Sequence, residues 1–176
     1  MLTGALCDHV DGVVAFAPSD VVWGGITKRG RVTSHWTHDG RVLPFVPFAN
    51  DWHQASDPPA FIGLYERSRQ RFPDQVAAAT IPVERIAQLV LIAGGDDQVW
   101  PSVTQAEAIR HRRADHGLPT TVVIDPDAGH RTILPGEHTA PGGMRMQRGG
   151  NDTADRRLGR EAWTDFFNLL SGMPGS

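Results

Sequence analysis

The stretch QLVLIAGGDD at residues 88–97 decides the fold, because a short apolar run ends there in two glycines and two aspartates. An uninterrupted apolar run of this length is typical of a strand that is buried on both faces of a sheet. Two similar runs flank it along the chain, GVVAFAP at residues 12–18 and TTVVI at residues 120–124. The three runs predict three strands.

Helical patterns separate these strands. Residues 57–72 are predicted to form a helix with Asp57 as its N-cap and proline in its first turn. Residues 101–116 form a second predicted helix, which Gly117 terminates, and a third begins near residue 151 with a wide apolar face. Strands that alternate with helices predict an α/β fold, in which helices cover both faces of a parallel sheet.

Two long segments without a regular period interrupt this order. Residues 19–57 form a loop-rich insertion in which Asp39 and Gly40 separate two short extended segments. Asp-Gly is a strong signal for a two-residue hairpin, because both turn residues must accept a positive φ. Residues 131–150 are predicted to form a long loop. The length of 176 residues predicts a single domain, residues 1–176.

The composition excludes several classes of function. The chain carries 17 Lys and Arg against 20 Asp and Glu, and this slight acidity argues against nucleic acid or an anionic membrane as a partner. No apolar run approaches the ~20 residues that span a bilayer, and a secretory signal is not recognisable. The single cysteine, Cys7, cannot form an internal disulfide or a cysteine metal cluster. We therefore expect a cytoplasmic protein without a cofactor.

Acid–base residues follow two of the predicted strands. Asp96 and Asp97 come directly after residues 88–93, and His130 follows residues 120–124. Since open parallel sheets bind ligands beyond the carboxyl ends of their strands, these side chains can meet as part of a nucleophile–His–Asp system. A simpler interpretation stays open, in which the aspartates form a strand-to-helix turn and His130 is a polar loop residue.

Several stretches that follow one another in order carry a family resemblance. They are PSDVVW (residues 18–23), SHWTHDGRVLPFVPF (34–48), IPVERI (81–86), LIAGGDDQVWPS (91–102), HG (116–117), AGH (128–130) and a final GG…W…F pattern (149–170). With them the chain resembles the C-terminal domain of the acyl-CoA thioester hydrolases and bile acid-CoA:amino acid N-acyltransferases, a dienelactone-hydrolase-like α/β-hydrolase. The resemblance implies the C-terminal portion of that fold, with about three parallel strands, flanking helices and an inserted β-hairpin.

The resemblance also implies a role for individual residues. Asp97 takes the position of the triad acid and His130 that of the base, while Asp96 becomes a structural neighbour. Ser19, in the matching stretch PSDVVW, is expected to be a loop hydroxyl near the substrate. Apart from the resemblance, Trp23 and Trp100 are expected to line a substrate cleft, as aromatic rings often do, and packing beneath long loops stays open for both. The implied reaction is nucleophilic attack on an acyl thioester or ester, with acyl-CoA as a possible substrate and no cofactor.

The chain departs from the family at the nucleophile. The family's serine or cysteine stands on a Gly-x-Ser-x-Gly or Gly-x-Cys-x-Gly elbow, and neither motif occurs in the 176 residues. Cys7 lacks the flanking glycines and is expected to pack as a small apolar residue in a helix. The sequence therefore predicts an N-terminally truncated domain that is inactive in isolation.

Two other interpretations are weighed against a hydrolase fragment. The first is a non-catalytic remnant or interaction module, in which residues 12–18 expose an unpaired strand edge that promotes self-association. The second is a metal-dependent hydrolase that uses His35 and His38 with Asp96 and Asp97. A metal site is not predicted from His35 and His38, because they lie in a predicted hairpin without a third ligand.

Overall fold

The computed structural model describes residues 1–26, 32–139 and 143–172. The strands are β1 (Gly12–Phe16), β2 (Gly24–Ile26), β3 (Val32–Ser34), β4 (Thr37–His38), β5 (Arg41–Val42), β6 (Gln88–Gly94) and β7 (Thr121–Asp125). The helices are α1 (Leu2–Leu6), α2 (Ile62–Arg71), α3 (Pro73–Ala79), α4 (Ser102–Asp115) and α5 (Asp152–Ser171), with a 3-10 turn at Val83–Arg85.

The central sheet has three parallel strands in the order β1-β6-β7. Leu91 of β6 lies opposite Ala15 on one side and Val122 on the other. The predicted α/β class is therefore confirmed, as are the three parallel strands with flanking helices. β6 takes the central place among the described strands because it is the most completely apolar of the three predicted runs.

Two hydrophobic cores lie on the two faces of the sheet, and successive residues of β6 alternate between them. Leu89 and Leu91 belong to the first core with Ile109 of α4, whereas Val90 and Ile92 belong to the second core. Leu158 and Ala162 of α5 pack into the second core with Val90 and Ile92. This alternation follows from the two-residue period of a strand.

The hairpin predicted in the insertion is present. β4 and β5 pair antiparallel around Asp39 and Gly40, whose φ angles are 49° and 73°. Both residues therefore have the left-handed conformation that a two-residue turn of this kind requires. β2 and β3 form a second antiparallel pair in the insertion.

The helix predicted for residues 57–72 begins later than expected. α2 starts at Ile62, and the side chain of Asp57 forms a bidentate ion pair with Arg145 instead of capping a helix. The helix does end before Pro73, but α3 follows at once with Pro73 in its first turn. Proline suits this position because its missing N–H would be unpaired there in any case.

β1 is a strand, as expected, but it is less buried than its sequence suggested. Among the described strands it pairs only with β6, and its last residue, Phe16, is 39% exposed. β6 is buried from Leu89 onward, because it has a neighbour on each side. An apolar run alone does not distinguish a central strand from one that has a single partner.

A buried arginine ties together the starts of β6 and β7. Arg113 of α4 is fully buried, and burial lowers the pKa of its guanidinium. It donates hydrogen bonds to one hydroxyl and four carbonyl oxygens, those of Thr120, Val83, Ile86, Ala87 and Pro119. These acceptors precede β6 and β7, so one side chain holds the entry to both strands.

Candidate active site

The carboxyl ends of the three parallel strands lie side by side at one end of the sheet, and the polar loops converge there. Asp97 follows β6 and His130 follows β7, and these strands are neighbours. Ala17 follows β1, the other neighbour of β6. This end is the place where open α/β sheets bind ligands.

Asp97 and His130 form a hydrogen-bonded pair. Nδ1 of His130 lies 2.9 Å from Oδ2 of Asp97. The Asp97 side chain is 2% exposed and the His130 side chain 26% exposed. Among the residues that the structure describes, none forms a hydrogen bond with Nε2 of His130. The carboxylate is therefore enclosed, whereas the imidazole is partly exposed and one of its nitrogens has no hydrogen bond from the described residues.

The other oxygen of Asp97 is held by the backbone. Oδ1 accepts hydrogen bonds from the amides of Val99, at 2.8 Å, and Trp100, at 3.2 Å. These two bonds orient the carboxylate so that Oδ2 faces the imidazole.

Asp96 has a different environment from Asp97. Its Oδ2 accepts a hydrogen bond from the amide of Gly150 at 2.8 Å, and its Oδ1 accepts one from Nε2 of Gln98 at 2.8 Å. Asp96 therefore joins two loops, while Asp97 contacts His130. The structural role that the resemblance implied for Asp96 stays a prediction.

The indole of Trp100 forms a wall beside the imidazole. The two rings meet edge to face, with centroids 5.3 Å apart and an interplanar angle of 81°. The indole N–H donates a 3.2 Å hydrogen bond to the carbonyl of Ala17. Trp100 thus connects the loop after β1 with the pair that follows β6 and β7.

Ala17 has an unusual backbone conformation, with φ of 42°. Left-handed angles are unfavourable for alanine, and residues in such conformations cluster at functional sites. The amide of Ala17 donates to the carbonyl of Ile92 at 2.8 Å, and its own carbonyl accepts the Trp100 indole N–H. Nothing in the sequence around Ala17 indicated this conformation.

A cleft of about 720 Å³ lies beside Trp100. The aromatic residues that line it are Trp23, Trp36, Phe48, Phe61, Tyr65 and Trp100. None of the described lining residues is Lys, Arg, Asp or Glu. An apolar, aromatic wall of this kind suits an uncharged apolar group.

The predicted substrate residues Ser19, Trp23 and Trp100 all line this cleft. The Ser19 hydroxyl accepts from the Trp23 indole N–H at 3.0 Å and donates to the carbonyl of Val21 at 2.9 Å. Ser19 therefore fixes the orientation of Trp23, and its proton is used within the loop. Their contact with a substrate stays a prediction.

Tyr65 is a cleft residue that the sequence did not single out for the site. Its ring meets Trp23 edge to face at 4.7 Å and Trp100 at 5.4 Å. Burial, and then the nearby charge of Asp97, raise the pKa of its phenol, so the hydroxyl stays neutral. The only sequence signal was its place on the apolar face of the predicted helix at residues 57–72.

None of the remaining candidates forms a hydrogen bond or ion pair with Asp97 or His130 in the part of the chain that the structure describes. Cys7 is exposed just after α1 rather than packed in a helix, so the expected burial is wrong. His35 lines the cleft, and His38 lies 3.5 Å from Asp39. Within residues 1–26, 32–139 and 143–172, there is no group of three or more His, Cys, Asp or Glu that could hold a metal ion.

The family described as BAAT / acyl-CoA thioester hydrolase C terminal has a model that matches residues 15–167. The chain belongs to this family. No curated protein sequence matches the chain. In a separate finding, no helix among the described residues has the length and apolar character needed to cross a bilayer. Membership of the BAAT / acyl-CoA thioester hydrolase family agrees with the resemblance that the ordered motifs indicated.

Proposed function

We propose that this chain supplies the acid and the base of a nucleophile–His–Asp site that cleaves acyl thioesters or esters. The observation that carries the proposal is the 2.9 Å hydrogen bond between His130 Nδ1 and Asp97 Oδ2 at the carboxyl ends of neighbouring strands. Membership of a family that includes acyl-CoA thioester hydrolases supports the same reaction class.

The proton moves through His130. Nδ1–H of His130 donates a hydrogen bond to Asp97, which leaves a lone pair on Nε2. This lone pair accepts the proton of a serine hydroxyl or cysteine thiol as that atom attacks the acyl carbon. The imidazolium then gives this proton to the departing sulfur or oxygen when the carbon–sulfur or carbon–oxygen bond breaks. Asp97 stays ionised and stabilises the imidazolium. Attack by water then completes hydrolysis, and attack by an amine completes acyl transfer.

The nucleophile comes from outside these 176 residues in this proposal. No Gly-x-Ser-x-Gly or Gly-x-Cys-x-Gly motif occurs among them, and Cys7 is exposed and lacks flanking glycines. The acyl group would lie against Trp100 in the apolar, aromatic cleft, and the Trp100 ring contacts His130. Acyl-CoA is a candidate substrate, no cofactor is required, and we propose a cytoplasmic site of action.

The experiment begins with the DNA upstream of the Met1 codon, read in frame for an elbow motif. The full polypeptide that the gene encodes is then assayed with acyl-CoA and with p-nitrophenyl esters. We expect His130→Ala and Asp97→Asn to lower kcat by about 10³-fold or more, whereas the control Cys7→Ala stays within twofold. Full activity in His130→Ala would refute the proposed role.

A non-catalytic interaction module is the second candidate. It is favoured by the lack of an elbow motif in the sequence and by the single described partner of β1. The full polypeptide that the gene encodes distinguishes the two candidates, because the first candidate takes its nucleophile from outside these 176 residues. Ester turnover that His130→Ala abolishes and Cys7→Ala preserves would exclude the non-catalytic candidate.

A further inference from the structure

We propose that residues 148–150, here named the clasp, hold Asp97 and His130 at hydrogen-bond distance, and that Gly149 and Gly150 are positioning residues of the pair. The consequence for catalysis rests on the proposed function. The geometric part does not, because the bond between Asp97 and His130 can be observed without any reaction.

The first element of the clasp is a shared carbonyl. The oxygen of Arg148 accepts hydrogen bonds from the amide of His130, at 2.8 Å, and from the amide of Gln98, at 3.3 Å. Gln98 directly follows Asp97 in the chain. One backbone oxygen therefore bonds to the loops that carry both members of the pair.

The second element is one hydrogen bond from the clasp to the loop of Asp97, and a separate bond outside the clasp holds the loop of His130. The amide of Gly150 donates to Oδ2 of Asp96 at 2.8 Å, and Asp96 precedes Asp97. The amide of Gly129 donates to Oδ1 of Asp155 at 2.8 Å, and Gly129 precedes His130. Each member of the pair is thus fixed through its neighbour.

Glycine is required in the clasp for two separate reasons. The φ angles of Gly149 and Gly150 are +68° and +64°, which L side chains rarely adopt. A Cβ at Gly149 would also lie 1.5 Å from the carbonyl oxygen of Asp96, and a Cβ at Gly150 would lie 2.1 Å from the amide nitrogen of Gly129. A methyl group would therefore push directly on the backbone of the two loops that carry the pair.

The loop after β7 offers a matched control for this inference. Gly136 also has a positive φ, +86°, but no atom lies within 4 Å of a Cβ built there. Gly136→Ala therefore introduces the unfavourable backbone conformation without the contact. Gly149→Ala introduces both, so the difference between the two variants isolates the contact.

The test is a proton NMR measurement on the purified chain. The proton that His130 Nδ1 shares with Asp97 should give a far-downfield signal that is missing from His130→Ala. We expect Gly149→Ala and Gly150→Ala to lose this signal or move it upfield, while Gly136→Ala keeps it unchanged. A folded Gly149→Ala variant with the unchanged signal would overturn the proposal.

A second variant covers the case in which Gly149→Ala does not fold. Asp96→Ala removes the acceptor for the Gly150 amide without adding bulk, and we expect it to weaken the same signal. Asp127→Ala, on the exposed side of the neighbouring turn, should leave it unchanged. An unchanged signal in folded Asp96→Ala would also count against the clasp.

In the full polypeptide, Gly149→Ala should lower kcat at least tenfold with little change in KM. Failure of the proposed function would instead appear as full activity in His130→Ala.

Discussion

The two ends of the three-stranded sheet are held together in different ways. At the amino ends of β6 and β7, the long side chain of Arg113 reaches one hydroxyl and four carbonyl oxygens and is itself fully buried. At the carboxyl ends, backbone segments pack directly against one another at glycines, and His130 keeps part of its ring accessible.

The amino ends of the strands therefore form a stabilising end of the sheet, whereas the carboxyl ends carry the candidate catalytic residues. Arg113 uses its donors entirely within the fold, because a buried guanidinium left without acceptors would be costly. In the Asp97–His130 pair, the imidazole is partly exposed and its Nε2 has no hydrogen bond from the described residues, and its neighbour Trp100 lines the apolar cleft. A histidine that exchanges a proton with a substrate needs one ring nitrogen that is not hydrogen-bonded within the fold.

The largest change in stability is expected at the amino ends. Replacing Arg113 by Met leaves several buried carbonyl oxygens without donors and should lower the free energy of unfolding by about 3–5 kcal/mol. Arg113→Lys should fall in between, because an ammonium has three donors and lacks the planar fork. Urea unfolding measures both variants.

The control for Arg113 is Arg110→Met, which changes a side chain that is 42% exposed and pairs with Glu107, with an expected change of about 0.5 kcal/mol or less. The comparison between the two ends also predicts that Arg113→Lys keeps the downfield His130 signal. An Arg113→Met variant as stable as the wild type would contradict the stabilising role of Arg113 at the amino ends.

A medium effect is expected at Trp100. Trp100→Phe removes the hydrogen bond to Ala17 and part of the cleft wall, so the free energy of unfolding should fall by about 1–2 kcal/mol. Binding of an uncharged, environment-sensitive fluorescent probe should weaken by about tenfold. The control Trp36→Phe changes a residue that also lines the cleft but is exposed. Equal losses in the two variants would contradict a special role for Trp100.

A smaller effect is expected from the pH dependence of an ion pair at the stabilising end. Hydrogen bonds from Arg112 hold the pKa of Glu84 at about 2, below its ordinary value of 4.5. The pair therefore stabilises the fold fully above about pH 4.5, and this contribution is lost as the pH falls toward 2. Allowing for the partial exposure of Arg112, Glu84→Gln should cost about 1 kcal/mol at pH 7.

The check on Glu84 is thermal unfolding of the wild type and of Glu84→Gln from pH 7 down to pH 2. The difference in Tm between the two proteins should narrow steadily below about pH 4.5. A difference that stays constant over this range would show that the pair does not titrate as described.

The smallest effect is expected at the strand with one described partner. We propose that β1 promotes self-association of the isolated chain through the edge that has no partner among the described strands. Light scattering after size exclusion should show the mass rising with concentration, and Phe16→Lys should weaken the association by a few-fold. A monomer at all concentrations with a sharp unfolding transition would contradict this.

Much of the fold could be predicted because its signals are local. The three apolar runs, the Asp-Gly hairpin and the start of the last helix at Asn151 depend on short stretches of sequence, and each lies where it was expected. The start of α2 was misplaced because Asp57 is a good N-cap by type but pairs with Arg145, which is 88 residues away. A capping preference cannot anticipate such a distant partner.

The candidate site, like the fold, could be predicted from the sequence only in part. The order of the strands and the positions of Asp97 and His130 after two of them were readable from the sequence, although their catalytic role stays a prediction. The strained backbone of Ala17, the wall formed by Trp100 and the clasp at residues 148–150 were not readable. They exist only where loops from distant parts of the chain meet.

The sequence by itself determined the α/β class, the three strands and the acid and base candidates, because periodicity and residue type act over a few neighbouring residues. Only the tertiary structure decided which oxygen of Asp97 faces the imidazole, which aromatic rings enclose the cleft and why Gly149 and Gly150 carry no side chain. These features depend on contacts between segments that are far apart in the chain, and such contacts are settled by the packing of the whole fold.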